Sequence, residues 1–323
     1  MKETRELFDA IMLTQASSGS ASGGDADMLQ QIVEDITSKL PGDYDLEAVQ
    51  ALFPVTYLES MNTVLAQELI RFNRLISIVR SSLTSLKKAI KGLVVMDAEL
   101  ETLAGALTLG NRPTLWMKRS YPSLKPLGSY VTDMLRRLAF FQKWIDDVKA
   151  PPTFWVSGFF FTQSFLTGTR QNYARATKIP IDELAFDFQV FSAEDSVVLE
   201  SKGKPKKGAY IQGLFMQGAQ WDQTADGCAG GDGIKCGAII DSSPRVLFTP
   251  MPSFWLIVEK GADIPKRHAY TCPTYKTSLR QGQLSTTGHS TNYVMPIELP
   301  MRSEEEERKW VKAGVAMLCG LDD

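Results

Sequence analysis

One apolar stripe dominates the first half of the chain. Its members are separated by steps of three or four residues: Leu58, Met61, Leu65, Leu69, Phe72, Ile76, Val79, Leu83, Leu86, Ile90 and Leu93. This spacing puts them on one face of a helix of about 36 residues, roughly 54 Å long at 1.5 Å per residue. The other face is polar, with Asn73, Ser77, Ser81, Ser82, Ser85, Lys87 and Lys88. The pattern predicts a long helix packed beneath others, with a free-standing coiled coil as the alternative.

Weaker apolar repeats predict further helices on both sides of this stripe. Asp27 is the predicted N-cap of a helix that ends at Pro41 and Gly42, and the segments 96–107 and 127–148 repeat the helical spacing. The Ser/Gly-rich segment 17–27 has the composition of a flexible linker, and residues 1–15 before it are interpreted as the remnant of a preceding element. We therefore predict a remnant and linker over residues 1–27 and a helical subdomain over 28–150.

The pattern changes after Pro151 and Pro152. A helix is predicted from Thr162 to about Lys178, and a short one after Ser303, which forms a capping box with Glu306. Short β-rich runs, separated by Gly, Pro, Asp and Ser, predict six strands at 185–191, 208–216, 253–259, 268–275, 292–299 and 314–321. Strands without alternating helices favour an antiparallel sheet or small barrel. The predicted class is therefore α+β, with a β-barrel-like subdomain over residues 151–323.

An aromatic run stands at the junction of these two parts. "PPTFWVSGFFFTQSFLTG" (151–168) holds six aromatic rings, but its polar residues interrupt it too often for a membrane span. Burial between a helical layer and a sheet would account for the rings, because aromatic side chains stabilise proteins mainly by burial. A ligand pocket or a lipid-facing wedge is the alternative.

Composition adds few constraints. The net charge of −2 gives no global reason to bind nucleic acid or an anionic membrane. The first fifteen residues do not resemble a secretory signal, and four cysteines do not form a disulfide framework. Reduced thiols in an intracellular compartment are the simplest interpretation.

Motifs for catalysis or metal binding are weak. The sequence has two histidines, and "GHS" (Gly288–Ser290) lacks the G-x-S-x-G elbow of a serine hydrolase. The possible zinc ligands Cys228, Cys236, His268 and Cys272 do not have the spacing of a common zinc site, and a disulfide between Cys228 and Cys236 is an alternative. We predict no catalytic, cofactor-binding or metal-ligating residue.

Motifs for ion and phosphate binding are equally weak. The segment Asp222–Gly233 begins like a calcium loop but has glycine where a bidentate glutamate belongs. Neither a phosphate-binding G-x-x-x-x-G-K-[ST] loop nor a G-x-G-x-x-G motif occurs. The basic segment Lys202–Gly208 suits a hairpin tip, or a surface for an anionic partner.

Several segments in order, from about residue 25 to the end, resemble the C-terminal region of dynein heavy chains. They include "ESMNTVLAQELIRFNRL" (59–75), "LKKAIKGLVVM" (86–96), "YPSLKPL" (121–127), "FWVSGFFFTQSFLTGTRQNYAR" (154–175), "GLFMQGAQWD" (213–222), "FTPMP" (248–252), "CPTYKTSLRQGQLSTTGHSTNYVMPIELP" (272–300) and "GVAMLCGLDD" (314–323). "STTGHSTNYV" resembles the axonemal type, with some inner-arm character. Residues 1–16 resemble the tail of the sixth AAA+ module.

The resemblance implies a module that follows the sixth AAA+ module and caps one face of a hexameric motor ring. Nucleotide-binding, arginine-finger and microtubule-binding elements of that family lie upstream, so no catalytic role transfers to residues of this sequence. The implied partners are AAA+ modules of the same heavy chain, and other dynein subunits through the parent complex. No cofactor, direct microtubule contact, nucleic acid or membrane is expected. The loop Gln223–Lys235 is longer than usual for the family.

Two functions follow as expectations. The first is a non-catalytic structural and regulatory element of an ATP-driven microtubule motor, in the cytoplasm and the axoneme of cilia or flagella. The alternative is an independent ligand-binding or hydrolytic protein that uses the aromatic junction or the Gly288–Ser290 turn.

Overall fold

The structure is a computed structural model of the 323-residue protein. It describes residues 24–191, 199, 203–222, 237–242, 247–265, 268–281, 292–301 and 305–322. Within these ranges it has both helices and mixed sheets, so the predicted α+β class is confirmed. The helices are α1 (Gly24–Lys39), α2 (Leu46–Leu52), α3 (Ser60–Ile90), α4 (Ala98–Thr108), α5 (Thr114–Met117), α6 (Leu127–Asp146), α7 (Thr162–Thr177) and α8 (Glu305–Ala313).

The long helix α3 confirms the main prediction of the apolar stripe, although it is shorter than the stripe. Its inward members from Met61 to Leu86 are buried, whereas Leu58 and Leu93 lie outside the helix and are exposed. Gly92 ends the helix because it adopts a φ of +69°, which glycine tolerates best. The N–H of Leu93 then donates to the carbonyl of Lys88 at 2.9 Å, as in a helix C-cap. The predicted burial of Leu58 and Leu93 is therefore wrong.

The other helix boundaries follow local capping chemistry. Helix α1 begins at Gly24, so Asp27 lies inside it and the predicted N-cap is wrong; the predicted end before Pro41 is confirmed. Asp97 caps α4, because its Oδ1 accepts a hydrogen bond of 2.8 Å from the N–H of Leu100. Helix α7 matches its predicted range and is followed by the C-cap Lys178, which has a left-handed φ of +58°. The proposed cap Ser303 lies outside the described residues.

The strands are short. They are β1 (Thr153–Trp155), β2 (Leu184–Val190), β3 (Ala209–Gln212), β4 (Phe215–Gln217), β5 (Gln220–Asp222), β6 (Ala238–Ile240), β7 (Phe248–Pro250), β8 (Phe254–Lys260), β9 (Ala269–Tyr275), β10 (Tyr293–Pro300) and β11 (Ala316–Leu318). All six predicted strand regions contain strands, and the run 208–216 contains both β3 and β4. The remaining four have three residues each, too few to show an alternating pattern.

The described strands form three sheets instead of one closed barrel. Their orders are β1-β3-β8-β2, β10-β9-β11-β4-β7 and β5-β6. Two pairs, β1–β3 and β9–β11, are parallel, so the expectation of a wholly antiparallel sheet is wrong for these pairs, and the barrel is not confirmed. Parallel pairing needs a long connection between the strands, and α7 and β2 lie between β1 and β3 in the chain.

The contacts divide the described chain into two units. One comprises residues 24–46 and 69–139, and the other comprises 47–68 and 140–322. In the first, the Trp116 indole N–H donates to Ser82 Oγ at 2.9 Å, and Tyr44 Oη donates to the carbonyl of Leu138 at 2.7 Å. In the second, α7 contacts β2 and β8 of the four-stranded sheet. The predicted subdomains 1–27, 28–150 and 151–323 stay a prediction.

Candidate functional site

The aromatic run is mostly a packed core. Four of its rings, on Phe154, Trp155, Phe159 and Phe165, are buried. Helix α6 adds the rings of Phe140, Phe141 and Trp144 to the same cluster. Neighbouring centroids are close, at 4.9 Å for Phe154–Phe165, 5.0 Å for Phe159–Phe165 and 5.5 Å for Phe141–Phe159. Rings at these separations fill the space between them, so the core interpretation is confirmed for these four residues.

Two rings of the run lie outside this core. Phe160 is half-buried, and Phe161 is exposed immediately before α7. Their backbone N–H groups donate to the Glu68 carboxylate of α3, Phe160 to Oε2 and Phe161 to Oε1 at 3.0 Å. The predicted burial of the six rings is therefore wrong for Phe161 and incomplete for Phe160, because this backbone segment turns toward Glu68.

Glu68 serves as a cap for α7 although it is distant in sequence. Its side chain is fully buried, and Phe161 at the helix start provides no side-chain cap. Phe161 is the N-cap position of α7 and Phe160 precedes it, so Glu68 accepts from the two N–H groups immediately before the helix. A negative charge at this end is also favourable to the helix dipole. Lys276 completes the arrangement, because its Nζ donates to the carbonyl of Phe160 at 3.0 Å.

Trp155 is fixed by a close backbone approach. Gly213 has a φ of +92°, and a Cβ atom there would lie 2.2 Å from Cδ1 of the Trp155 ring. Ser157 Oγ also donates a hydrogen bond to the Gly213 carbonyl. Only glycine satisfies both the dihedral angle and the space, so the junction is built around this ring and leaves no room for a ligand at Gly213.

The candidate residues for catalysis and metal binding are not assembled into a site in the described part. His268 is exposed, while Cys272 is buried, and burial raises the pKa of its thiol to about 12. Cys228, Cys236, the Gly288–Ser290 turn and the loop Gln223–Lys235 lie outside the described residues. Among the described residues, no group of three or more His, Cys, Asp or Glu could hold a metal ion.

The basic segment is partly neutralised. Lys204 Nζ lies 3.0 Å from Glu59 Oε2, and Lys207 forms an ion pair with Glu259. The hydrogen bond that Lys207 donates to the Glu259 carboxylate raises the pKa of Lys207. Lys206 is exposed, and Lys202 lies outside the described residues. These pairs favour the hairpin-tip interpretation over a surface for an anionic partner.

Two apolar segments are exposed. The post-helix segment, Leu93–Val95, has side chains that are 73%, 48% and 84% exposed. The 52–58 loop exposes Leu52, Val55, Tyr57 and Leu58. The sequence analysis did not predict the exposed post-helix segment, because the stripe pattern put Leu93 on the buried face. Gly92 was the signal that the helix ends before this residue. Contiguous exposed apolar residues of this kind mark protein interaction sites, so these segments are the candidate functional surfaces.

The described helices include none that is both long and apolar enough to cross a membrane.

Comparison with known proteins shows which family the sequence belongs to. The family model described as the C-terminal domain of the dynein heavy chain matches residues 1–319. The protein belongs to that family. It is 50% identical to human dynein axonemal heavy chain 3 and 48% identical to human dynein axonemal heavy chain 12, in both cases over 100% of its own length. It is 46% identical to mouse dynein axonemal heavy chain 1 over 99% of its length.

The resemblance to axonemal dynein heavy chains is thereby confirmed. This dynein C-terminal domain spans 7% of the length of heavy chains 3 and 1 and 10% of heavy chain 12. The inner-arm assignment stays a prediction.

Proposed function

We propose that this dynein C-terminal domain is a non-catalytic structural and regulatory element of an axonemal motor. It caps the ring of AAA+ modules of the same heavy chain and contributes to ATP-driven, microtubule-based movement in cilia or flagella. The post-helix segment carries the proposal, because it presents an apolar surface to a partner. Family membership supports the heavy chain as the source of that partner.

The post-helix segment suits a docking role because its first residue is anchored to α3. The C-cap hydrogen bond from Leu93 to Lys88 anchors it to the end of α3, and Gly92 sets its direction. Its three adjacent apolar side chains would lose water on contact with a partner, and burial of apolar surface is the main driving force of protein association. An anchored segment loses less conformational entropy on docking than a free one.

The rest of the heavy chain supplies the proposed occupant. The relatives are many times longer than this domain. The family resemblance of the sequence implies that AAA+ modules precede the matched region. Other dynein subunits would be reached through the parent complex. Microtubule, nucleic-acid and membrane contacts are not part of the proposal, nor is a cofactor or metal. The proposal also retains the predicted subdomain boundaries at 27/28 and 150/151.

The alternative function is less well supported. An independent ligand-binding protein would need space at the aromatic junction, where the rings of Phe154, Phe159 and Phe165 instead pack against one another. A hydrolase at the Gly288–Ser290 turn would depend on residues outside the described ranges. No observation on the described residues favours either activity over the docking role.

ATP titration of the purified 323-residue protein distinguishes these functions. The proposal predicts neither a saturable heat signal in calorimetry nor phosphate release above the buffer blank. A melting curve measured on the same sample confirms that the protein is folded. ATP binding at micromolar concentration, or turnover that saturates with ATP, would contradict the non-catalytic role.

A further inference from the structure

A polar cleft lies beside the polar face of α3. It encloses a volume of about 570 Å³, and its lining residues are Asp43, Asn73, Arg74, Ser77, Ile78, Ser81 and Arg119. Five of these residues lie on α3: Asn73, Ser77 and Ser81 follow one another at intervals of about one turn, as do Arg74 and Ile78. The polar half of the helix pattern is therefore brought together with residues from two other segments.

Hydrogen bonds fix the two walls of the cleft. On one side, the Asn73 side-chain amide accepts from the Tyr44 N–H at 2.8 Å and donates to the Tyr44 carbonyl at 2.9 Å. On the other side, buried Trp116 donates to Ser82 Oγ, which holds α5 and the residues after it near α3. A cleft with both walls anchored needs little rearrangement to bind a ligand.

The charges around the cleft are unbalanced. Among the described residues that line it, the one carboxylate, on Asp43, is paired with Arg80 Nη1 at 2.7 Å. The guanidinium groups of Arg74 and Arg119 make no hydrogen bond, ion pair or ring contact with any described residue. Two positive charges in the cleft thus lack a counter-charge within the described part of the protein.

Most of the arginines that the structure describes do interact with another described residue. Among the eleven described arginines, only Arg74, Arg119 and Arg308 show no such interaction. Two of these three line the same cleft. Arg308 is an exposed residue of α8 and belongs to the other unit.

We propose that the cleft binds an acidic segment of a protein partner. Each guanidinium can donate two parallel hydrogen bonds to a carboxylate, and exposed Ser77 can add a single donor, whereas the Ser81 hydroxyl already donates to the carbonyl of Ile78 at 3.2 Å. The described lining residues include no aromatic side chain on which a nucleotide base could stack, and the one apolar residue among them is Ile78. An extended peptide with spaced acidic side chains matches these features.

Fluorescence anisotropy tests the proposal on the 323-residue protein. The probe is a fluorescein-labelled peptide of alternating glutamate and serine, with an alternating lysine–serine peptide as its counterpart. We expect saturable binding of the acidic peptide only. The double variant Arg74→Ala/Arg119→Ala should weaken this binding by about 10- to 100-fold, because it removes charge-assisted hydrogen bonds. The double variant Arg74→Lys/Arg119→Lys should have a peptide affinity between those of the parent and the alanine variant. Lysine keeps the positive charge but cannot donate two parallel hydrogen bonds to one carboxylate.

Arg308→Ala is the matched control, because it removes a positive charge that has no interaction with a described residue and is not among the residues that line the cleft. It should leave peptide affinity unchanged, and all variants should keep the melting temperature of the parent. If Arg308→Ala weakened peptide binding equally, the binding would be explained by non-specific charge attraction, and the proposal would be overturned. Absence of saturable peptide binding would also overturn it, as would tighter binding of ATP than of the peptide through Arg74 and Arg119.

Discussion

Single residues in the aromatic run differ sharply although they are neighbours. Phe159 is 2% exposed and packs among the rings of α6 and of the run itself, whereas Phe161 is 42% exposed. Composition identifies the run as apolar, but it cannot tell which rings face inward. That depends on where α7 begins and on the acceptors at Glu68, which lies far away in sequence.

Phe159→Ala should lower the free energy of unfolding by about 3–5 kcal/mol, because it leaves a cavity among packed rings. Phe161→Ala should cost less than about 1 kcal/mol, since its ring already contacts water. Urea denaturation of both variants measures the difference. Equal losses for the two substitutions would show that the ring core is assigned incorrectly.

Cys272 is a second residue whose environment sets its chemistry. Burial raises the pKa of its thiol from an ordinary 9.0 to about 12, so the reactive thiolate is roughly a thousand times scarcer at neutral pH. Iodoacetamide should therefore leave Cys272 unmodified in the native protein at about pH 8 and alkylate it after unfolding in urea. Peptide mapping by mass spectrometry reads this site separately from the other cysteines. Rapid labelling of native Cys272 would contradict its burial.

At the scale of elements, the sequence predicts what regular periodicity encodes. The helices α3, α6 and α7 and the longer strands β2, β8, β9 and β10 appear close to the predicted ranges. Sequence periodicity does not predict structure that depends on contacts between segments far apart in the chain. The parallel pairing of β9 with β11 depends on residues brought together from distant parts of the chain. The candidate surface at Leu93 was missed for a local reason, since Gly92 interrupts a stripe that continues in the sequence.

Glu68→Gln should loosen the start of α7. A glutamine retains one acceptor oxygen, but its NH₂ group faces a second N–H donor, so one buried hydrogen bond is lost together with the favourable charge. We expect a loss of about 2–4 kcal/mol in the free energy of unfolding. Glu101→Gln, an exposed change in the first turn of α4, is the control and should cost less than about 1 kcal/mol. Similar values for the two variants in urea denaturation would refute the capping role.

At the scale of the whole molecule, buried tyrosine and cysteine side chains make the free energy of unfolding decrease at alkaline pH. Burial raises the pKa of Tyr130 and Tyr270 to about 12 and that of Tyr121 well above its usual range, as it does for Cys272. Between their ordinary pKa values and about 12, the unfolded chain releases protons that the folded chain keeps. Their contribution is thus complete below about pH 9 and is lost as pH rises through the folded-state pKa values.

The urea midpoint should therefore fall steadily between about pH 9 and 11 at constant ionic strength. Tyr270→Phe should reduce the slope of this fall, because it removes one of the titrating groups. A midpoint that is constant or rises over this range would contradict the burial of these side chains.

The proposed regulatory role also belongs to the whole molecule. A surface that docks on a motor ring acts by stabilising some ring conformations over others, and a coupling of roughly 1–3 kcal/mol is typical for such effects. The domain needs no catalytic residue to act in this way. Its fold class and family could be predicted from sequence, but the exposed apolar surface became visible only where side-chain burial was known.

Microtubule gliding by a full-length heavy chain with Leu93→Ser/Val95→Ser tests the central claim most directly. Both side chains are exposed, so the isolated domain should keep its melting temperature, and Leu247→Ser, at a residue 73% exposed elsewhere, serves as the control. The proposed docking predicts a change in gliding velocity or microtubule-stimulated ATPase of about twofold or more in the double variant alone. Velocity and ATPase indistinguishable from those of the parent motor would contradict a regulatory contact through the post-helix segment.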